Sequence, residues 1–207
     1  MRHQARHEWA QDQLEGSGTR AVRALSGARM GIIGLGAIGS EVARVAAAFG
    51  MRVSAIRRRA GSDLPEGVER LLTPERLPEL LAESDVIVLS APLTRETRGL
   101  MGAREVAQMK PGALLVNVGR GRLVVDEAIV EGLRSGQIGG AALDVFTHEP
   151  LDPASPYWDL PNVIVTPHTS GAMQDYWTPL VALFSENLRR FERGEPLLNV
   201  IDKAAGY

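Results

Sequence analysis

Arg120, Glu149 and His168 each close a separate strand-like stretch of the chain. All three lie downstream of a glycine fingerprint, Gly34-Leu35-Gly36-Ala37-Ile38-Gly39. A guanidinium can clamp an acid, a carboxylate can tune a base, and an imidazole can move a proton near neutral pH. The fingerprint implies a dinucleotide beside them. Together these groups point to hydride transfer to or from a small oxo or hydroxy acid.

The elements that must position them alternate in type. Met30-Gly31-Ile32-Ile33 reads as a buried strand running into the glycine turn. Ser40 to Phe49 reads as a helix with Val42, Val45, Ala46 and Phe49 on one face, and Gly50 as its stop. Further strands are expected at Arg52–Ile56, Val86–Leu89, Ala113–Val118, Gly140–Phe146 and Val163–Val165, with Leu71 and Leu72 as a small candidate. Helices are expected at Leu77–Glu83, Arg104–Met109, Asp126–Arg134 and from about Met173 to Arg193, with Asp126 as an N-cap. The strands are continuously apolar, which predicts strands covered on both faces. That means a parallel sheet in a doubly wound α/β fold of Rossmann type.

A glycine triplet alone is a weak signal, but this one follows a strand, opens a helix and leads to a second strand. Gly34 suits the tight turn, Gly36 the close approach of a pyrophosphate, and Gly39 the packing of helix on strand. Ala37 and Ile38, set among these glycines, are read with them as cofactor-binding, ahead of a helix N-terminus whose unpaired N–H groups face the phosphates. An NAD-selective site usually carries Asp or Glu at the end of the second strand. Here that place holds Arg57, followed by Arg58 and Arg59. The missing acid and the planar guanidinium forks favour NADP over NAD, with NAD still possible.

Bulk properties narrow the class. The 207 residues are 44% apolar and 23% charged, with a net charge of −2, which is ordinary for a globular protein and offers no footprint for nucleic acid. There is no cysteine, so disulfides and thiolate metal sites are excluded. No apolar run reaches membrane-spanning length and the N-terminal residues lack a signal-peptide core, so the expected compartment is the cytosol. Lysine occurs only at Lys110 and Lys203, so clusters of arginine partly reflect composition.

From about residue 27 to 200 the chain resembles the D-2-hydroxyacid dehydrogenase family, specifically its cofactor-binding part. The matching motifs are Gly31 to Gly39, Pro92-Leu93-Thr94 with Thr97, Asn117-Val118-Gly119-Arg120-Gly121, Leu143-Asp144-Val145-Phe146 with Glu149-Pro150, and Thr166-Pro167-His168-Thr169-Ser170-Gly171. They occur in the family's order. The arginine-ended second strand resembles the glyoxylate/hydroxypyruvate reductase branch. The resemblance implies that His168 is the acid/base, that Glu149 pairs with it, and that Arg120 binds the substrate's carboxylate and carbonyl. It implies that Asp144 holds the nicotinamide end, while Pro92, Thr97, Val118, Gly119, Arg120, His168 and Gly171 line the cofactor site. Taken singly, each could be a turn or surface residue; in order, at strand ends, they read as one site. Formate dehydrogenases resemble the family but carry glutamine where Glu149 stands, so glutamate favours a hydroxy/oxo acid couple.

The family's second lobe is built mostly from residues before the fingerprint. On this reading the chain divides into a helical arm (residues 1–26), a dinucleotide-binding domain (27–175), and a helix and tail (176–207) that would return to that lobe. The chain is therefore expected to be the cofactor lobe alone, binding cofactor but turning over poorly. A homodimer is expected, with the arm near Trp9 in the contact. The competing expectation is a non-catalytic nucleotide-sensing protein of corepressor type.

Overall fold

The computed structural model describes residues 6–9, 24–58 and 64–203. Most of the expected arm lies outside the described residues. Seven parallel strands form one sheet: β1 (Arg29–Ile33), β2 (Arg52–Ile56), β3 (Arg70–Leu72), β4 (Val86–Leu89), β5 (Ala113–Asn117), β6 (Ile138–Leu143) and β7 (Val163–Val165). Their order is β3-β2-β1-β4-β5-β6-β7, so the chain reverses direction across the sheet between β1 and β4. That is the doubly wound topology, and its strand ends form the crevice where such sheets bind ligands.

Five α-helices connect the described strands or follow them: α1 (Ala37–Ala48), α2 (Leu77–Glu83), α3 (Ala103–Gln108), α4 (Asp126–Ser135) and α5 (Trp177–Glu192). The helices α2, α3 and α4 seal one face, burying Leu80, Leu81, Val106, Ile129 and Leu133 against Ile87, Leu115 and Leu143 of the strands. The other face carries α1, whose Ala43 and Ala46 pack with Ile32, Val53, Ala55 and Val88. Burying each of these leucine, isoleucine and valine side chains contributes about 1.5–3 kcal/mol.

Three expectations need correction. The buried face of α1 is Gly39, Ala43 and Ala46, while Val45 and Phe49 are exposed. Small residues win because they let the helix approach the strands closely; a Cβ at Gly39 would stand 2.2 Å from the Gly34 carbonyl oxygen. Asp126 is the first residue of α4 and not its N-cap, which is Val125. Its carboxylate instead accepts a hydrogen bond from the buried Tyr157 hydroxyl at 3.0 Å.

The third correction concerns the sheet. Only part of it is covered on both faces. The parallel register puts Leu114, Val116, Ala142 and Ile164 on the α1 side, in line with Val86 and Val88. Val116 still packs against the α1 cluster, but beyond it Leu114 is 46% exposed and Ile164 60%. The helix α5 has no buried residue, and its Leu180, Val181, Phe184, Leu188 and Phe191 form an exposed stripe at helical spacing. An apolar strand pattern reports a two-sided environment without saying which molecule provides it.

Candidate active site

The cofactor half is built on the β1–α1 turn. Gly34 has φ +101°, and a Cβ there would stand 2.4 Å from Ala91 backbone atoms. Only glycine passes this crossing. The Ser90 hydroxyl fixes it from the next strand by donating to the Gly34 carbonyl at 2.7 Å. Gly36 has the opposite property: a Cβ there would meet nothing within 4 Å. It precedes α1 with no side-chain cap, which leaves room for a ligand at the N–H groups of the first turn. Ala37 and Ile38 lie exposed in that turn. A cradle of bare amides at a helix N-terminus fits a pyrophosphate.

A cavity of about 460 Å³ opens beside this turn. Gly34 and Gly36 form its floor, Arg57 and Arg58 stand beyond β2, and Pro92 and Thr97 stand beyond β4. The Thr97 hydroxyl donates to the Pro92 carbonyl at 2.7 Å and accepts the Thr94 N–H at 2.8 Å. Thr97 thus shapes the rim as well as lining it.

The chemical half sits at the ends of β5, β6 and β7. After β5, the fully buried Asn117 folds the turn that carries Arg120. Its amide donates to the Arg120 carbonyl at 3.1 Å and its oxygen accepts the Gly119 N–H at 3.1 Å. The exposed Arg120 guanidinium donates to the Gly119 carbonyl at 2.7 Å. Val118 is half-buried and Gly119 buried against Leu123 and the Ala91 carbonyl. Gly171 stands exposed beyond β7, with nothing near it for a Cβ to meet.

After β6, one Glu149 oxygen accepts the Phe146 N–H at 2.8 Å. The other lies 2.7 Å from Nδ1 of His168, which comes from beyond β7. A carboxylate at Nδ1 assigns that nitrogen its proton and leaves Nε2 for exchange with a substrate. Burial alone would raise the Glu149 pKa, but the hydrogen bonds from His168 and Phe146 N–H outweigh it and hold the carboxyl below its usual range. His168 adopts φ +54°, in the left-handed region. That cost is met from below: its N–H donates to the Asp144 carbonyl at 2.8 Å.

The Asp144 side chain is the anchor of this loop. It is buried at the end of β6 and accepts the Thr166 hydroxyl at 2.6 Å, the Thr169 N–H at 2.8 Å and the Ser170 N–H at 3.0 Å. Burial opposes ionisation, but these donors prevail and bring the Asp144 pKa down from 3.8 to about 2. The geometry therefore gives Asp144 a task that motif reading did not assign, namely holding the His168 loop. Asn117 was also missed, although a polar residue closing an apolar strand was visible in the sequence.

Residues 1–170 match the family described as D-isomer specific 2-hydroxyacid dehydrogenase, NAD binding domain. The chain belongs to this family. Similar D-2-hydroxyacid dehydrogenase relatives include a glyoxylate reductase of Aeropyrum pernix, 41% identical over 184 residues that cover 86% of this chain and 53% of the relative. A hydroxypyruvate reductase of Blautia hydrogenotrophica is 38% identical, covering 86% and 54%. Among solved structures, an NADPH-dependent glyoxylate/hydroxypyruvate reductase from Sinorhizobium meliloti, in complex with NADP and sulfate, superposes with TM-score 0.84 at 36% identity. The match covers 100% of this chain and 63% of that one. A probable 2-hydroxyacid dehydrogenase from Rhizobium etli in complex with NADP gives TM-score 0.86 at 34% identity, covering 100% and 62%. The chain spans about half the length of the curated relatives it matches. Among the described residues no helix is long and apolar enough to cross a membrane.

Proposed function

We propose that this chain is the cofactor-binding part of an NADPH-dependent reductase of small 2-oxo acids, of the glyoxylate/hydroxypyruvate class. The observation that carries the reading is the Glu149–His168 pair, fixed at 2.7 Å over Asp144 at the strand ends. A nicotinamide cofactor, when bound, supplies the hydride. Arg120 offers a planar fork to the substrate's carboxylate and carbonyl. His168 donates a proton from Nε2 to the carbonyl oxygen as it gains charge. Glu149, ionised at neutral pH, holds the Nδ1 side of the ring at 2.7 Å and so fixes the imidazole's orientation for that donation. In the oxidative direction His168 takes the proton back.

The NADPH preference rests on Arg57 and Arg58 at the cavity and on the absence of an acid at the end of β2. Titration of the purified chain should show NADPH binding tighter than NADH. Arg57→Asp should narrow or invert the gap, by roughly 10-fold or more for the loss of a charge-assisted contact. In the same cuvette, glyoxylate or hydroxypyruvate should drive only slow NADPH oxidation by this chain, and faster oxidation by one extended upstream to include the second lobe. Tighter binding of NADH overturns the cofactor reading. Bound NADPH with no oxidation across a panel of 2-oxo acids, by this chain and by one extended upstream, overturns the reductase reading.

We further propose that two copies associate. The support is the uncovered half-sheet around Leu114 and Ile164, the α5 stripe, and Trp9, which is 91% exposed. Apolar patches beyond a few hundred Å² are rare on monomers. Light scattering at micromolar concentration should return twice the chain mass, and a monomer mass would refute the association.

A further inference from the structure

The cofactor cavity contains a charge that the arginine reading leaves unused. Glu96, seven residues beyond β4, lines the same 460 Å³ space as Arg57 and Arg58 beyond β2. β2 and β4 are not neighbours; they flank β1, whose glycine turn forms the floor between them. Glu96 and the two arginines thus stand at opposite lips of the adenosine end. The carboxylate is held in place, accepting the Thr94 hydroxyl at 2.7 Å, and Thr94 is itself tied to Thr97.

We infer that Glu96 is the acidic member of the ribose subsite and sets how strongly the site discriminates a phosphorylated from a free 2′-hydroxyl. This rests on the proposed nucleotide site. A Rossmann site that selects the free hydroxyl places a carboxylate at the end of β2, where it accepts from the ribose. This chain lacks that carboxylate but supplies one from the opposite lip. Facing a 2′-phosphate, Glu96 repels the incoming dianion and competes with it for Arg58. Facing a free 2′-hydroxyl, it accepts a hydrogen bond. Both effects push the same way, toward tolerance of NADH.

The electrostatics agree. Glu96 has its pKa lowered first by the Thr94 hydroxyl, then by its own backbone N–H, with burial opposing and the charges of Arg58 and Arg95 adding. Glu96 is therefore ionised wherever nucleotides bind, and it feels Arg58 across the cavity. Among the described residues the charged groups around it are Arg57, Arg58 and Arg95, so a single neutral substitution changes the local balance without removing a cation.

The test is Glu96→Gln, which keeps the side-chain shape and an acceptor for Thr94. Dissociation constants are measured by fluorescence for NADPH and NADH, and by calorimetry for adenosine 2′,5′-bisphosphate and AMP. The ratio of NADH to NADPH constants should rise about three- to fivefold, the scale of a screened surface charge interaction. The bisphosphate should gain over AMP by a similar factor, and the gain should shrink as salt is added. Glu96→Asp should stay near the parent, and Glu131→Gln, outside the cavity on α4, should change nothing. An unchanged ratio, or equal weakening of all four ligands, overturns the inference. If the parent itself prefers NADH, the NADPH reading falls, while the ratio shift on substitution still decides the role of Glu96.

Discussion

Gly121→Ala is expected to cost the chain more stability than any other single methyl group at the site. A Cβ at position 121 would lie 1.9 Å from the Phe146 carbonyl carbon, 2.0 Å from its oxygen and 2.4 Å from the Thr147 nitrogen. These are backbone atoms, so no rotamer change makes room. Overpacking a tight interior costs about 1–3 kcal/mol when side chains can yield. Here the main chain must move, so a loss above about 3 kcal/mol is expected, out of the 5–15 kcal/mol typical of a domain. For a chain of this length that corresponds to a fall in Tm of roughly 10 °C. The placement gives the loss a functional side. Gly121 follows Arg120 and presses on the segment whose Phe146 N–H holds Glu149. It is the weld between the turn that would hold a substrate acid and the loop that tunes the base. Gly36→Ala is the informative contrast, because its Cβ meets nothing within 4 Å. That variant should melt within about 1 °C of the parent, yet bind NADPH more weakly because the methyl intrudes on the pyrophosphate cradle. Calorimetric melting of both variants checks the pair. A Gly121→Ala chain melting within 2 °C of the parent would show that the contact relaxes at about 1 kcal/mol or less.

Much of this arrangement was legible in the sequence because parallel sheets write their pattern locally. Apolar runs such as Val86–Leu89 report burial, and glycines such as Gly34 and Gly50 report positive φ, at +101° and +75°. The order of motifs brought Glu149 and His168 to adjacent strand ends, and the family match agrees with the resemblance read from those motifs. What stayed hidden depends on contacts between residues far apart in sequence. The face that α1 buries was misassigned because Val45 and Phe49 are more apolar than Gly39 and Ala43, yet closeness of approach favoured the smaller side chains. The bare half-sheet was invisible because Leu114 and Ile164 look the same in a strand whether or not a helix lies on them. The anchoring role of Asp144 emerges only once Thr166, Thr169 and Ser170 converge on it in space.

That convergence makes Asp144→Asn the second large effect, and its pH dependence separates charge from packing. In the native chain both carboxylate oxygens accept, one from Thr166 and Thr169 and the other from Ser170. Asparagine replaces one oxygen with an NH₂ group, so a donor faces a donor wherever the amide is placed. The anion also contributes through linkage. Its pKa is about 2 in the folded chain against an ordinary 3.8, so the folded state holds the ionised form more tightly than the unfolded state does. A depressed carboxyl gives stability that is present in full above the unfolded value and is lost as pH falls through the folded one. For this buried carboxylate that contribution is about 2 kcal/mol, or a Tm difference of about 4–8 °C from the asparagine variant above pH 5. The difference should contract steadily toward pH 2, where the parent loses its charge as well. Glu149 is depressed in the same direction and steepens the parent's own acid transition. Paired melting curves from pH 2.5 to 7 measure the contraction, and hydrogen exchange should show the Thr169 and Ser170 amides opening faster in the variant at neutral pH. A Tm gap that keeps its full size at low pH would assign the loss to packing alone. His168 is carried by the same loop with φ +54°, so when Asp144 lets go the imidazole loses its fixed approach to Glu149. On the proposed reading, 2-oxo acid reduction should therefore fall out of proportion to stability in the variant, while the nucleotide still binds at the glycine turn, which shares no hydrogen bond with Asp144.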